Sequence, residues 1–108
     1  MKETFIVKHA VGGKIYIDTA KRPLAYKVTP HGDGWKFVVQ WPNCDDVAEL
    51  LRLKQELNVF LFHEYADRPT RKTWYYVSDG PVAYDPGREV LTIVAASRIE
   101  YVPDDFLK

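Results

Sequence analysis

One stretch of this sequence, residues 43–57, predicts an amphipathic helix, whereas nearly every other segment predicts strands and turns. Asn43 suits the N-cap, because its side-chain oxygen can accept a hydrogen bond from a free backbone N–H in the first turn. The apolar residues that share one side of this helix are Val47, Leu50, Leu51, Leu53 and Leu57. We therefore expect an α+β domain in which a single helix covers one face of a sheet.

The strand signals fall on both sides of the helix and give the order β-β-β-β-α-β-β-β. The segments that predict strands are residues 4–11, 14–18, 24–29, 35–41, 59–65, 73–77 and 89–102. Gly12 and Gly13 predict a two-residue hairpin turn, and residues 30–34 predict the turn of a second hairpin. Strands joined by short turns pair antiparallel, so we expect a mostly antiparallel sheet of about seven strands.

Two segments after the helix carry further information. Residues 59–65 hold four consecutive large apolar side chains, which predicts a central strand buried on both faces. Residues 89–102 exceed the length of a typical strand, so we expect a bend near residues 96–98. One helix cannot cover both faces of a seven-stranded sheet. The sheet must therefore curl into a partial barrel or leave one face open for a partner.

Composition limits the class of protein. The 108 residues suit one domain over residues 1–108, with a short C-terminal tail at about 103–108. The net charge of zero argues against bulk attraction to nucleic acid or to an acidic membrane. A single cysteine, Cys44, excludes an internal disulfide and favours a reducing compartment. No apolar run is long enough to span a bilayer, and the N-terminus makes a poor signal peptide, so we expect a cytoplasmic protein.

The basic loop at residues 68–72 and the aromatic strand after it form the strongest candidate site. Arg68, Arg71 and Lys72 offer contacts to phosphates or carboxylates. Trp74 and Tyr76 share one face of the strand, because side chains alternate. Basic loops beside aromatic sheet faces occur in proteins that bind single-stranded nucleic acid. The alternative interpretation is an ordinary loop before a strand whose aromatics fill the core.

The residues that could carry catalysis are few. Cys44 falls at the start of the helix, where the dipole favours a thiolate, but no histidine accompanies it in a recognisable signature. The histidines, His9, His31 and His63, are too scattered to form a metal motif. We therefore predict no metal, no cofactor and no catalytic residue. A small enzyme or a ligand-binding barrel that uses Cys44 or the histidines remains an alternative.

The leading hypothesis is a small non-enzymatic module for protein–protein interaction: an adaptor, an inhibitor or a regulator. The aromatic content of 14% supports it, because Trp, Tyr and Arg are enriched at interaction hot spots. Trp35 and Trp41, on one face of the fourth predicted strand, join the candidate binding residues. The partner is another protein or a second copy, through a sheet face or edge. Binding of single-stranded nucleic acid is the alternative, and no membrane partner is expected.

Overall fold

The computed structural model of this chain describes residues 1–77 and 81–102. Within these residues its elements are β1 (Lys2–His9), β2 (Ile15–Asp18), β3 (Tyr26–His31), β4 (Gly34–Gln40), α1 (Asp45–Arg52), a 3-10 turn (Lys54–Glu56), β5 (Leu57–Glu64), β6 (Arg71–Tyr76), β7 (Val82–Asp85), β8 (Val90–Ala95) and β9 (Ser97–Tyr101). The fold is therefore of the α+β class, with strands dominant, as predicted. The predicted tail at 103–108 lies outside the described residues.

The described strands form two antiparallel sheets instead of one. Sheet A has the order β2-β1-β5-β6-β9, and sheet B has the order β3-β4-β8-β7. The prediction of about seven strands in one curled sheet is thus wrong in count and in packing. One extra strand is β7, whose four residues lie in a stretch that Pro81 and Pro86 caused us to interpret as a connection. The other arises because residues 89–102 form two strands.

Ala96 is the point at which the chain passes from one sheet to the other. It separates β8, which belongs to sheet B, from β9, which belongs to sheet A. The bend predicted near residues 96–98 is confirmed. A fourteen-residue run of β-forming residues exceeds one strand, and a single bend lets it contribute to both sheets.

The central position predicted for residues 59–65 is also confirmed. Residues 59–64 lie in β5, the middle strand of sheet A, which runs antiparallel to both neighbours, and residue 65 follows its end. Val59 and Leu61 point into the core, and Phe60 on the opposite side is only 6% exposed. Val59, Phe60 and Leu61 are buried, whereas Phe62 on the outer side is half-buried, so the inner side of this strand is fully covered and the outer side only in part.

The core lies between the two sheets, and Phe37 of β4 stands at its centre. Its ring centroid lies 5.6 Å from that of Phe5 on β1 and 4.8 Å from that of Tyr75 on β6. Other buried side chains that complete this core are Val7, Ile17, Val39, Val47, Leu50, Val59, Leu91 and Ile93. Both sheets therefore direct alternate side chains inward, as in a packed sandwich.

The helix is shorter than predicted and lies at the margins of the sheets. Of the predicted residues 43–57, only Asp45–Arg52 are α-helical, and a 3-10 turn follows. The N-cap is Cys44, not Asn43, whose backbone N–H donates to Glu89 Oε2 at 2.6 Å. The helix contacts the edge strand β7, and Glu49 accepts a hydrogen bond from Tyr16 of the edge strand β2. Its buried residues Val47 and Leu50 pack into the core between the sheets, and none of the described residues forms a helix on the outer face of either sheet.

The two predicted hairpins form with different turns. The first uses a five-residue connection over residues 10–14, closed by a 2.8 Å hydrogen bond from His9 N–H to the Lys14 carbonyl, so the two-residue turn was wrong. The second pairs His31 with Gly34, and its turn is Gly32-Asp33. Gly32 has φ +58, a conformation that glycine adopts without strain.

Candidate interaction surface

The side of sheet A that points away from sheet B carries most of the aromatic side chains outside the core. Strand pairing places Ile6, Phe60, Trp74 and Ile99 in one row across four neighbouring strands. The rows on either side of it supply the rest of what we call the aromatic face: Thr4, Phe62, Lys72 and Tyr101 in one, and Lys8, Asn58, Tyr76 and Ser97 in the other. This surface is built from β1, β5, β6 and β9.

The rings of the aromatic face contact one another. Phe60 lies 5.8 Å from Trp74 and 6.4 Å from Phe62, measured between ring centroids. Trp74 and Tyr76 stack with centroids 4.7 Å apart. Separations of this size are typical of favourable aromatic pairs. The face is therefore an ordered cluster held by ring contacts, and it does not belong to the core between the sheets.

Two lysines lie over these rings. Lys72 Nζ is 4.3 Å from the centroid of Phe60 and 5.2 Å from that of Phe62, and Lys8 Nζ is 5.8 Å from Phe60 on its other side. The two ammonium groups flank one ring, so they are at most about 10 Å apart. Within the described part of the chain, no carboxylate forms an ion pair with either of them. The face thus presents two cations on an apolar platform.

Exposure varies strongly across the aromatic face. Phe60 at its centre is 6% exposed, whereas Ile99 on β9 is 47% exposed. The indole nitrogen of Trp74 is buried and has no hydrogen-bond acceptor among the described residues. An unsatisfied buried donor is uncommon and calls for an explanation such as a missing partner. The face therefore combines exposed apolar area at Ile99 with a buried donor that has no acceptor among the described residues.

The outer face of sheet B differs in chemistry. Strand alternation places on it the following side chains, none of them Phe, Trp or Tyr: Lys27, Thr29, His31, Lys36, Val38, Gln40, Ala83, Asp85, Val90, Thr92 and Val94. Small, β-branched and polar residues of this kind are ordinary for a solvated strand face. The concentration of rings on sheet A is therefore not a general property of the outer faces of this fold.

Three of the seven residues predicted as a binding site meet on this face. They are Lys72, Trp74 and Tyr76. Arg71 begins β6 and is exposed, and alternation directs it to the opposite side of the strand. Arg68 lies in the preceding loop, where its Nε is 3.2 Å from Asp67 Oδ1 and its guanidinium lies 5.0 Å from the Tyr65 ring. The basic loop and the aromatic strand are thus not one continuous patch.

The structure places the remaining two predicted residues elsewhere. Trp41 is 3% exposed and belongs to the core, where its ring lies 6.4 Å from that of Tyr84. The hydroxyl of Tyr84 also donates to the Trp41 carbonyl at 2.7 Å. Trp35 packs against the core, 5.6 Å from Tyr75, and the guanidinium of Arg98 covers its ring at 4.4 Å. Neither tryptophan contributes to the aromatic face.

Sequence reasoning missed several residues of the face. Phe60 and Phe62 were assigned only to a doubly buried strand, and Lys8 and Ile99 to ordinary strand positions. These residues lie near Trp74 because of the register in which β1, β5, β6 and β9 pair. Alternation within each strand was visible in the sequence. The neighbours across strands were not, since three of these four strands are distant from one another along the chain.

A second cluster joins the two sheets at one end of β5. Glu3 accepts a 2.8 Å hydrogen bond from His63 Nε2 on the same sheet and another from the hydroxyl of Tyr26 on sheet B. Burial, with a further contribution from Glu3, raises the pKa of Tyr26 well above that of a free phenol. The hydroxyl therefore stays protonated and donating, and the cluster acts as a polar connection between the sheets.

A third polar cluster links the β1–β2 hairpin to α1. Glu49 accepts from the hydroxyl of Tyr16 at 2.9 Å and from Lys14 Nζ at 3.1 Å, and Asp46 accepts from the same ammonium at 3.0 Å. The bond from Tyr16, followed by that from Lys14, lowers the pKa of Glu49. Hydrogen bonds to Asp46 and then to Glu49 raise the pKa of Lys14. These contacts secure the helix against the β1–β2 hairpin.

Cys44, His9 and His63, which the alternative of a small enzyme or ligand-binding barrel invoked, have different neighbours in the described part of the chain. Cys44 is exposed at the N-cap of α1. His9 bonds to Glu56 at 3.0 Å, and His63 bonds to a different glutamate. Among the described residues, no group of three or more His, Cys, Asp or Glu side chains is arranged to hold a metal ion.

Comparison of the chain with protein-family models, with curated proteins and with solved structures finds no match. In residues 1–77 and 81–102, no helix combines the length and the apolar character needed to cross a membrane. Functional inference therefore depends on the aromatic face itself.

Proposed function

We propose that this protein is an interaction module whose aromatic face binds an acidic surface of another protein. The observation that carries the proposal is the pair of ammonium groups, Lys8 and Lys72, that flank Phe60 with no carboxylate paired to either in the described chain. Aromatic side chains supply apolar contact area at an interface, and charge complementarity directs the choice of partner. A cytoplasmic location stays a prediction.

The charge on the face argues against two copies meeting face to face. Such a dimer would bring together four lysines, two from each copy. The three rows of the aromatic face contribute no carboxylate of their own, and the carboxylates on the same side of sheet A, Asp18 and Glu64, lie at its margin. Enclosing unpaired charges costs several kcal/mol for each ion. A partner that contributes carboxylates within reach of Lys8 and Lys72 removes this cost. It also covers the apolar area between them.

Single-stranded nucleic acid is the alternative ligand for rings beside cations. Bases need free ring faces on which to stack. Here the Phe60 ring is 6% exposed beneath two lysines, and Trp74 and Tyr76 are stacked on each other. The net charge of zero also weakens long-range attraction to phosphates. These observations favour an acidic protein surface over nucleic acid.

The test measures fluorescence polarisation with three labelled probes at low salt. They are a peptide of alternating glutamate and leucine, the same peptide with glutamine in place of glutamate, and a thymidine oligonucleotide. We expect the glutamate peptide to bind tightest. The Lys8→Glu, Lys72→Glu double variant should weaken it at least about tenfold, or roughly 1.4 kcal/mol. The control Lys36→Glu, on the outer face of sheet B, should bind like the parent protein.

Two results would overturn the proposal. One is equal binding of the glutamate and glutamine peptides. The other is tighter binding of the oligonucleotide with the same sensitivity at Lys8 and Lys72, which assigns the face to nucleic acid. Circular dichroism checks the fold of each variant. The milder Lys8→Gln, Lys72→Gln pair keeps the test informative if double charge reversal unfolds the domain.

A further inference from the structure

The strand β9 forms an open edge of sheet A. It pairs with β6 along its whole length, from Ser97 opposite Tyr76 to Tyr101 opposite Lys72, with no shift of register. Its position at the end of the strand order leaves its other side without a neighbouring strand among the described residues. Residues 97–100 are all exposed. An open edge of this kind is a template for pairing with another strand.

The other three edge strands in the described chain carry features that discourage such pairing. The strand β2 has four residues, and its pairing with β1 shifts register between Val7 and Lys8. The strand β3 contains Lys27 and Pro30, and β7 has four residues and contacts α1. Lysine, proline, bulges and short strands are the usual protection of sheet edges. The strand β9 has five residues and no lysine, proline or bulge, and its only charged residues are Arg98 and Glu100.

The charges on β9 are arranged so that the strand is complementary to itself. Arg98, Ile99 and Glu100 are consecutive, and Arg98 and Glu100 lie on the same side of the strand, where Arg98 Nη2 is 3.5 Å from Glu100 Oε1 within one copy. A second copy offers each of these charges a further partner. In an antiparallel pair of two β9 strands centred on Ile99, each Arg98 faces Glu100 of the other copy. Centring on Arg98 or on Glu100 instead would place like charges opposite each other. Directly opposed charges of opposite sign stabilise a strand pair, and like charges destabilise it.

We propose that two copies of this chain associate through β9, antiparallel and about a twofold axis at Ile99. The axis brings together the two Ile99 side chains, each 47% exposed in the single copy. It also satisfies the requirement that a twofold interface be complementary to itself. Sheet A and its copy then form one sheet of ten strands, and the two aromatic faces become one continuous surface.

This association does not rest on the binding of an acidic partner. Lys8 and Lys72 lie on strands other than β9 and remain accessible in the dimer. A five-residue edge buries little surface, so we expect a weak dimer with a Kd in the micromolar range or above. Dimerisation and peptide binding can therefore fail independently.

Sedimentation velocity from about 1 µM to about 1 mM tests the dimer, because this range spans the Kd of weak specific complexes. We expect the parent protein to dimerise. Arg98→Glu alone and Glu100→Arg alone should each raise the Kd at least about tenfold, because each places like charges opposite each other at two positions. The two single variants mixed in equal amounts should associate with each other, since every facing pair is then opposite in charge. The double variant Arg98→Glu, Glu100→Arg should dimerise again.

The control is Arg88→Glu, in the exposed turn before β8, which should leave the Kd unchanged. A parent protein that stays monomeric over the whole range overturns the proposal. A dimer that is indifferent to both single variants overturns it as well, because its interface must lie elsewhere. Recovery in the mixture and in the double variant excludes misfolding as the cause of any loss.

Discussion

The ring of Phe37 on sheet B meets the ring of Tyr75 on sheet A nearly at right angles, with an interplanar angle of 82° and centroids 4.8 Å apart. Phe37 also contacts Phe5 and is fully buried. One side chain thus contacts both β1 and β6 of the opposite sheet. The cohesion of the two sheets depends strongly on this residue.

Replacement of Phe37 by alanine should therefore cost about 3–5 kcal/mol of the free energy of unfolding, because a large cavity opens between the sheets. Urea denaturation followed by circular dichroism measures this value. The neighbouring variant Lys36→Ala, which points outward from the same strand, should change stability by no more than about 0.5 kcal/mol. A loss below about 1 kcal/mol for Phe37→Ala would show that the sheets are held together elsewhere.

Replacement of Trp41 and of Trp74 by alanine should reduce stability by different amounts, because the two residues lie in different places. Trp41 lies in the core, so Trp41→Ala should cost about 3–5 kcal/mol of stability. Trp74 lies on the aromatic face and is only partly buried, so Trp74→Ala should cost less than half as much. Urea denaturation of the two variants and the parent protein measures both losses of stability. Equal losses would mean that the aromatic face serves as a second core.

Gly34 is required by a close approach between strands. A Cβ atom added there would overlap the carbonyl oxygen of Ala95 on β8. Gly34→Ala should therefore force β4 and β8 apart and cost about 1–3 kcal/mol. Gly87→Ala is the matched control, since its added Cβ would lie at an ordinary 3.4 Å from Asp85 Oδ1. Similar midpoints for the two variants in thermal unfolding would contradict the overlap.

The contacts of Glu49 predict an acid dependence of stability. Its pKa is lowered in the folded protein by Tyr16 and Lys14, so its contribution is present above the ordinary value of 4.5 and is lost as pH falls through the folded value. Glu49→Gln should lower stability at neutral pH, and the difference from the parent should shrink below about pH 4.5. Thermal melts between acid and neutral pH measure this. A constant difference over that range would exclude the ionised carboxylate as the cause.

The hydroxyl of Tyr26 should stabilise the contact between the sheets near Glu3. Tyr26→Phe keeps the ring, which stacks on Phe5 at 4.6 Å, and removes only the hydrogen bond. We expect a loss of about 1 kcal/mol in urea unfolding. In a Glu3→Gln background the same change should cost less, because the charged acceptor is gone. Equal costs in both backgrounds would show that the hydroxyl and Glu3 do not interact energetically.

Local patterns predicted the parts of this fold that depend on single strands. The alternation of Trp35, Phe37, Val39 and Trp41 placed these side chains on one side of β4, although it did not show that this side is the buried one. The four large apolar residues that begin at Val59 indicated a central strand. The length of residues 89–102 indicated the bend at Ala96. Each of these inferences needs only the two-residue alternation of side chains along a strand and the length of the apolar or β-forming segment.

The features that were missed depend on partners distant in the sequence. Asn43 is a good cap by residue type, but its backbone N–H is bound by Glu89, a residue of the turn before β8, and the helix starts later. Trp41 and Trp74 are alike in the sequence, yet one is in the core and the other is on the aromatic face. Which tryptophan is buried depends on how the two sheets pack together. That packing is determined by contacts between residues that are distant in the sequence.

The passage of the chain through Ala96 has a consequence during synthesis. The strand β9 follows the other eight described strands along the chain, so sheet A lacks its edge until residue 101 has left the ribosome. Until then β6, with Trp74, is the edge of that sheet. Two nascent chains therefore cannot pair through β9 before the domain around it has been made, and the complementary edge appears only on a chain that is ready to fold.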